Sequence, residues 1–185
     1  MVAPVQPRDR GPGCHGSTAL ATAALPLGSP PPGGEPAAKA APLLQHLRRL
    51  TGHLVVALVA LVVLGGATRV MQAGLACPDW PLCYGVLLPG RQMNLQVFLE
   101  WFHRLDAFVV GVALLVLAAL SVWRRRELPA GSAPLATMAL ILVALQGLLG
   151  ALTVTRLLAA PVVTLHLGTA LLLLGLVSGL HQRLA

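Results

Sequence analysis

Two histidines, His103 and His166, lie near the starts of two different apolar stretches of the chain. Each is about one helical turn inside its stretch, a depth at which an ionisable side chain in a membrane is costly and is usually retained because it binds or reacts. Two imidazoles at matched depth on facing helices suit a heme iron, which accepts axial histidine. No further cluster of cysteine, histidine or carboxylate completes a tetrahedral zinc set. The pattern therefore predicts a heme site, the alternative being two buried histidines bonded to neighbouring carbonyls.

Charged side chains accompany the first histidine. Glu100 is three residues before His103, so on a helix the two side chains emerge on the same face. A carboxylate there could orient the imidazole, take a proton or face a reacting carbon, or it could simply pair with Arg104 or be solvated. Arg69, Arg104 and Arg156 all fall at the same ends of the apolar stretches. Each guanidinium could bind a heme propionate bidentately, or it could be an anchor that snorkels to the membrane surface.

Cys77 and Cys83 enclose the sequence Pro-Asp-Trp-Pro-Leu in the segment between the first two apolar stretches. The short spacing and the prolines could bring the two thiols together, and the outer side of a membrane permits a disulfide. The spacing differs from the two-residue gap of thioredoxin-like motifs, so that motif gives no support. A structural disulfide and a redox-active pair that delivers or accepts electrons beside the heme both remain open.

Four apolar stretches must position these residues. Of the 185 residues, 56% are hydrophobic and 10% are charged, whereas soluble domains carry about 25% charged residues, so the composition indicates an integral membrane protein. Each stretch is close to the ~20 residues that cross a bilayer as a helix, the form that satisfies backbone groups in lipid. The stretches are Leu50–Val70, Trp101–Trp123, Pro134–Val154 and Pro161–His181. The sequence thus predicts an all-α fold, a transmembrane four-helix bundle.

Cationic residues predict the orientation of these helices. Arginines precede the first stretch, separate the second from the third at 124–126 and follow the fourth at Arg183. The positive-inside rule then places both termini in the cytoplasm and the loop with the two cysteines outside. This distribution explains the net charge of +7 without a nucleic-acid partner. Residues 1–45, rich in Pro, Gly and Ala, are predicted to be disordered, which leaves 46–185 as the membrane domain.

The motifs around these residues resemble the heme A synthase family. The resemblance covers about Leu50–His181 and depends most on Cys-Pro-Asp-Trp-Pro at 77–81 and Glu-Trp-Phe-His-Arg at 100–104. These two motifs would rarely coincide by chance. The similar runs are 65–69, 74–85, 100–106, 146–154 and 163–167.

This resemblance implies an activity, the oxidation of the methyl group of heme O to the formyl group of heme A for terminal oxidases. By the same likeness, His103 and His166 would be the histidine pair of the half that binds the substrate heme. Glu100 would be the carboxylate implicated in catalysis. Cys77 and Cys83 would be the outer-face pair associated with electron or heme transfer. The chain would then be an oxidoreductase with heme O as its substrate and with a heme O synthase and an electron donor as partners.

The chain departs from the family in one respect. Most members have eight helices in two similar four-helix halves, and the second half has its own histidine pair for a heme b. This sequence matches one half, which implies a fragment, a truncated product or a compact form that pairs with itself, where a homodimer could hold the heme b. The membrane would be a bacterial plasma membrane or a thylakoid. Two other functions stay open: a non-catalytic bis-histidine heme or electron-transfer protein, and a membrane thiol oxidoreductase that uses Cys77 and Cys83.

Overall fold

The computed structural model describes the backbone of residues 34–185 and the side chains of residues 42–185. In that part of the chain it forms α1 (Gly34–Val70), a short 3₁₀ helix (Gly90–Gln92), α2 (Leu95–Trp123), α3 (Ser132–Thr155) and α4 (Ala160–Arg183). The described residues contain no β-strand. All four α-helices are long and apolar enough to cross a membrane. The predicted all-α membrane bundle is therefore confirmed.

The second helix begins earlier than the apolar pattern predicts. It starts at Leu95 rather than Trp101, because Asn94 has an extended backbone and its side chain accepts a hydrogen bond from the Val97 N–H at 3.0 Å. An asparagine in this position satisfies one of the free N–H groups of the first turn. Glu100 consequently lies within the second turn of α2 and not at its start.

The first helix also extends beyond its predicted limits. It begins at Gly34, so 34–45 are helical where the sequence predicts a disordered tail. Four alanines between 37 and 41 explain this difference, since alanine has the highest helix propensity. The rest of the predicted tail, residues 1–33, lies outside the described residues.

The helices form a closed ring in which each contacts the next and α4 contacts α1. The short connections at 124–131 and 156–159 make neighbouring helices antiparallel. The bundle therefore has two distinct ends. We call the end where α1 and α3 finish and α2 and α4 begin the histidine end, because His103 and His166 lie there. The helices α2 and α4 that carry them stand on opposite sides of the ring.

The packed apolar core lies away from the histidine end. Its buried residues recur at helical spacing, as at Val110, Leu114 and Leu117 on α2. The core residues are Leu47, Leu54, Leu58, Val110, Leu114, Leu117, Ala118, Ala136, Ala139, Leu173, Val177, Leu180 and Leu184. Those on α2, α3 and α4 lie in the half of the helix that is far from the histidine end, those on α1 extend from Leu47 to Leu58, and Leu184 follows α4. Large side chains such as Phe108 and Leu172 are exposed, as expected for helices that face lipid.

Candidate functional site

His103 packs against the backbone of α1. A Cβ atom built on Gly65 would lie 3.3 Å from Cε1 and 3.8 Å from Nε2 of the imidazole, so a larger residue at this position would press the ring away by a few tenths of an ångström. Nδ1 of the ring is buried and has no hydrogen-bond partner among the described residues, whereas Nε2 is not sealed in this way. A buried polar atom without a hydrogen bond is costly, and the helices around His103 offer its Nδ1 no hydrogen-bond partner.

His166 is held in a comparable way by α3. A Cβ on Gly150 would lie 3.8 Å from its Cε1, and one terminal atom of the Gln146 amide lies 3.1 Å from its Nδ1. Both imidazoles are half-buried. Both lie at the histidine end, His103 on α2 and His166 on α4. The structure therefore places at one end of the bundle the two histidines that the sequence singled out.

The main apolar core ends short of the two imidazoles, at Leu58, Val110, Ala139 and Leu173. A smaller buried cluster of Cys77, Cys83 and Val97 lies at the histidine end. The described residues contain no group of three or more His, Cys, Asp or Glu side chains that could hold a metal ion. Two imidazoles, each against a glycine of a neighbouring helix, fit a heme better than a bare metal ion.

Glu100 is engaged on both of its oxygens. Glu100 is only 5% exposed. Its Oε2 accepts a hydrogen bond from the Cys77 N–H at 2.8 Å, and its Oε1 pairs with the Arg104 guanidinium at 2.5 Å. The ion pair with Arg104, one of the readings that the sequence left open, is thus present. The carboxylate is fixed between α2 and the loop that contains the cysteines.

Arg104 fastens that loop to α2. Its Nη1 atom donates to the carbonyl oxygens of Asp79 and Leu82, each at 2.6 Å, and its Nη2 atom donates to the Cys77 carbonyl at 3.3 Å. Trp101 adds a hydrogen bond from Nε1 to the Leu87 carbonyl at 2.6 Å. A propionate at Arg104 would have to share these donors, so the contacts favour an anchoring role for this arginine.

Arg69 and Arg156, the other two predicted propionate ligands, lie exposed at the histidine end. Arg69 lines a cavity of about 320 Å³ at the end of α1. Gln72 and Leu158 are among the residues that share this cavity, so the loop after α1 and the turn between α3 and α4 meet there. The guanidinium of Arg69 is therefore next to an opening large enough for a small polar group.

Cys77 and Cys83 form a disulfide with their Cα atoms 4.8 Å apart, and both residues are almost fully buried. The enclosed turn is stabilised by Asp79, whose carboxylate accepts hydrogen bonds from the N–H groups of Tyr84 at 2.6 Å and Gly85 at 2.8 Å. The Gly85 N–H, followed by that of Tyr84, holds the pKa of the Asp79 carboxyl below its ordinary value. The disulfide and these two hydrogen bonds hold residues 77–85, which we call the disulfide loop, in one defined conformation.

Sequence reasoning assigned no role to Gln146 or Thr169, yet both lie beside His166. Gln146 bridges α3 and α4 by contacting His166 and the hydroxyl of Thr169. The signal in the sequence that could have drawn attention to Gln146 is that it is an amide within the apolar stretch Pro134–Val154. Which residue the amide contacts depends on how α3 packs against α4, and the sequence pattern does not specify that packing.

Known proteins match most of this chain. A family model described as cytochrome oxidase assembly protein matches residues 48–97 and 91–184. The heme A synthase of Bacillus pumilus (strain SAFR-032) is 35% identical over 131 residues, 67% of this chain and 40% of that protein. That of Chelativorans sp. (strain BNC1) is 32% identical over 165 residues, 84% of this chain and 44% of that protein. That of Mesorhizobium japonicum (strain LMG 29417 / CECT 9101 / MAFF 303099) is 31% identical over 156 residues, 78% of this chain and 40% of that protein.

Fold and site together define an integral membrane protein with two histidines in glycine cradles at one end of a helical bundle and a disulfide loop attached to that end. The chain belongs to the heme A synthase family of cytochrome oxidase assembly proteins. It spans about two fifths of the length of the curated relatives that it matches. The resemblance stated from the sequence is thereby confirmed.

Proposed function

We propose that this chain is the substrate-binding half of a heme A synthase, which holds heme O through His103 and His166 while its methyl group is oxidised to a formyl group. The observation that carries this proposal is the pair of half-buried imidazoles, each set against a glycine of the neighbouring helix at the end of the bundle that the main apolar core does not reach. Relatives named heme A synthase support the choice of ligand. When bound, heme O supplies the iron that the imidazoles ligate and the carbon that is oxidised.

Glu100 is proposed as the acid–base group of the reaction. Its helical spacing from His103 puts both side chains on one face of α2. The contacts with Arg104 and the Cys77 N–H fix the position of the carboxylate, which favours a preorganised group over a mobile one. In this role Glu100 accepts a proton released from the substrate carbon or orients the His103 imidazole.

Arg69 and Arg156 are proposed to bind the propionates of the substrate. Both are exposed at the histidine end, where a guanidinium can pair bidentately with a carboxylate. Arg104 is proposed to contribute less directly, by holding the disulfide loop over the same end. Such contacts would set the orientation of the macrocycle relative to His103 and His166.

A second four-helix half is proposed to complete the enzyme. The chain spans about two fifths of its relatives, so the second half would come from a longer polypeptide or from a second copy in a homodimer. That half would hold a heme b and pass electrons from the substrate site to an acceptor. A heme O synthase is the proposed supplier of substrate. By the positive-inside rule the termini face the cytoplasm and the disulfide loop faces outward, in a bacterial plasma membrane or a thylakoid.

The test is to purify the full chain in detergent from cells that make heme O, record absorption spectra and identify the extracted heme by chromatography. We expect bound heme O, with heme A or a hydroxylated intermediate if the chain is catalytic alone. His103→Ala and His166→Ala should each lose most of the heme. His53→Ala is the matched control, because His53 is exposed on α1 at the opposite end. Wild-type protein without heme would contradict the proposal.

A non-catalytic heme or electron-transfer protein is the second candidate. The observation that favours it is the engagement of both Glu100 oxygens in holding the disulfide loop, which is a structural role. Such a protein would keep its heme and its redox behaviour in Glu100→Gln, whereas the enzyme would keep heme but lose turnover. A thiol oxidoreductase is less favoured, because Cys77 and Cys83 are 0% and 1% exposed and exchange requires access to a sulfur.

A further inference from the structure

A cavity of about 410 Å³ lies between α1 and α4 at the end of the bundle opposite the histidine end. Arg48, Arg49 and His181 are among the residues that line it, and none of the described residues of the lining has a carboxylate. Neither guanidinium is in a salt bridge within residues 42–185. The cavity is therefore a cationic site whose charge this part of the chain does not neutralise.

Hydrogen bonds between α1 and α4 hold one wall of this cavity. The carbonyl oxygen of Arg48 lies 3.1 Å from Nδ1 of His181, and because a carbonyl oxygen only accepts, this contact requires a hydrogen on Nδ1. The Thr51 hydroxyl donates to the same carbonyl at 2.9 Å and accepts from Nδ1 at 3.0 Å. The ring also lies against Gly52, where an added Cβ would be 3.3 Å from its Cε1. These contacts fix the His181 imidazole, so the cavity is shaped before any ligand enters it.

The cavity continues into an apolar face of α1. Val56 belongs to the lining and is exposed, and Val59 and Val63 are exposed at helical spacing further along the helix. Arg49 immediately precedes Leu50, where the apolar stretch begins, so the guanidiniums lie at the depth where lipid head groups meet the hydrocarbon. A ligand that fits this surface has an anionic group for the arginines and an apolar chain for the valines.

We propose that this cavity binds the phosphate of one anionic phospholipid, with the guanidiniums of Arg48 and Arg49 on the phosphate oxygens and an acyl chain along Val56 and Val63. A guanidinium pairs with phosphate bidentately, and basic pockets between transmembrane helices bind anionic head groups. General attraction of arginines to a charged membrane surface needs no cavity and acts equally on other arginines at this end. The inference is independent of heme binding, which the article assigns to the other end of the bundle.

The experiment is a titration of the full chain in neutral detergent with phosphatidylglycerol, in which native mass spectrometry counts the lipids bound to each chain. We expect one lipid to bind more tightly than the rest, and zwitterionic phosphatidylcholine to show no such first site. The double variant Arg48→Gln/Arg49→Gln should raise the dissociation constant of the first lipid roughly 30-fold, because each cation near the head group contributes to binding. Arg125→Gln/Arg126→Gln removes the same charge from exposed positions at the same end. It is the matched control and should keep the affinity of the wild type.

Val56→Phe provides an independent variant with both arginines in place. It narrows the cavity at an exposed position, so it should weaken binding of the first lipid several-fold without disturbing the core. Glycerophosphoglycerol, the head group without acyl chains, should bind weaker than the whole lipid by roughly tenfold or more. Equal binding of the two would assign the cavity to a soluble phosphate compound and overturn the lipid assignment. Equal loss of affinity in the two arginine double variants, or no tight first lipid in the wild type, would also overturn the inference while leaving the proposed function intact.

Discussion

Each imidazole at the histidine end packs against a glycine of a neighbouring helix, His103 against Gly65 of α1 and His166 against Gly150 of α3. The first of these two contacts is the tighter. A methyl group on Gly65 would lie 3.3 Å from the His103 ring, whereas one on Gly150 would lie 3.8 Å from the His166 ring. The first distance is tighter than nine in ten real contacts of a Cβ atom, and the second is ordinary van der Waals contact. A methyl group is therefore harder to accommodate at Gly65 than at Gly150.

Gly65→Ala should therefore displace His103 and weaken heme binding. Overpacking of this kind costs about 1–3 kcal/mol, which corresponds to roughly tenfold or more in the dissociation constant. Gly150→Ala is the matched control and should bind heme within about twofold of the wild type. Titration with ferric heme B measures both. Equal affinity in the two variants would show that the close approach of α1 to His103 does not shape the site.

Glu100 gives a second prediction at this scale. Glu100→Gln preserves the size of the side chain but removes the charge that pairs with Arg104, and a hydrogen bond to a charged group is worth about 1.5–3 kcal/mol. We expect a lower thermal unfolding temperature and loss of heme O turnover with heme still bound. Glu127→Gln is the control, because Glu127 pairs with Arg124 on the surface at the other end, where such pairs contribute little. Unchanged turnover in Glu100→Gln would contradict the catalytic proposal.

The disulfide loop is an element whose order depends on ionisation. The Gly85 and Tyr84 N–H groups lower the pKa of Asp79, so the carboxylate form stabilises the turn. That stabilisation is complete above the ordinary carboxyl pKa of 3.8 and is lost as the pH falls through the lower pKa of the folded loop. Hydrogen exchange at Gly85 should accelerate, relative to its intrinsic rate, only in that acidic range. In Asp79→Asn the protection of Gly85 should be weaker and independent of pH there.

The helices also show what the sequence can and cannot specify. The apolar pattern gave the ends of α1 and α2 at Val70 and Trp123 as the structure has them, because arginines and loop residues interrupt the hydrophobic run. It placed the start of α2 too late, because the cap at Asn94 depends on local hydrogen bonding and not on hydropathy. The placement of both histidines at one end of the bundle could be predicted from the alternating direction of the helices, whereas the contact between Gln146 and His166 arises from helix packing.

Over the whole molecule, the main apolar core occupies one part of the described bundle. Its buried leucines, valines and alanines come from all four helices and lie away from the histidine end. At the histidine end a smaller buried cluster is formed by Cys77, Cys83 and Val97. In lipid, helices associate through close packing and not through exclusion of water. We infer that the main core provides most of the stability of the apoprotein and that a ligand bound at the histidine end adds to it.

This division predicts that core and ligand contribute additively to stability. Leu114 is fully buried, so Leu114→Ala should lower the free energy of unfolding by about 2 kcal/mol, the lower end of the range for buried leucines. Heme at about 100 times its dissociation constant should add about 2.7 kcal/mol to the wild type and the same amount to Leu114→Ala, because well-separated sites act independently. His166→Ala should keep the baseline of the apoprotein and lose the gain from heme. Thermal unfolding in detergent, recorded for each protein with and without heme, measures these contributions. A smaller stabilisation by heme in Leu114→Ala than in the wild type would show that the core and the histidine end form one cooperative packing unit.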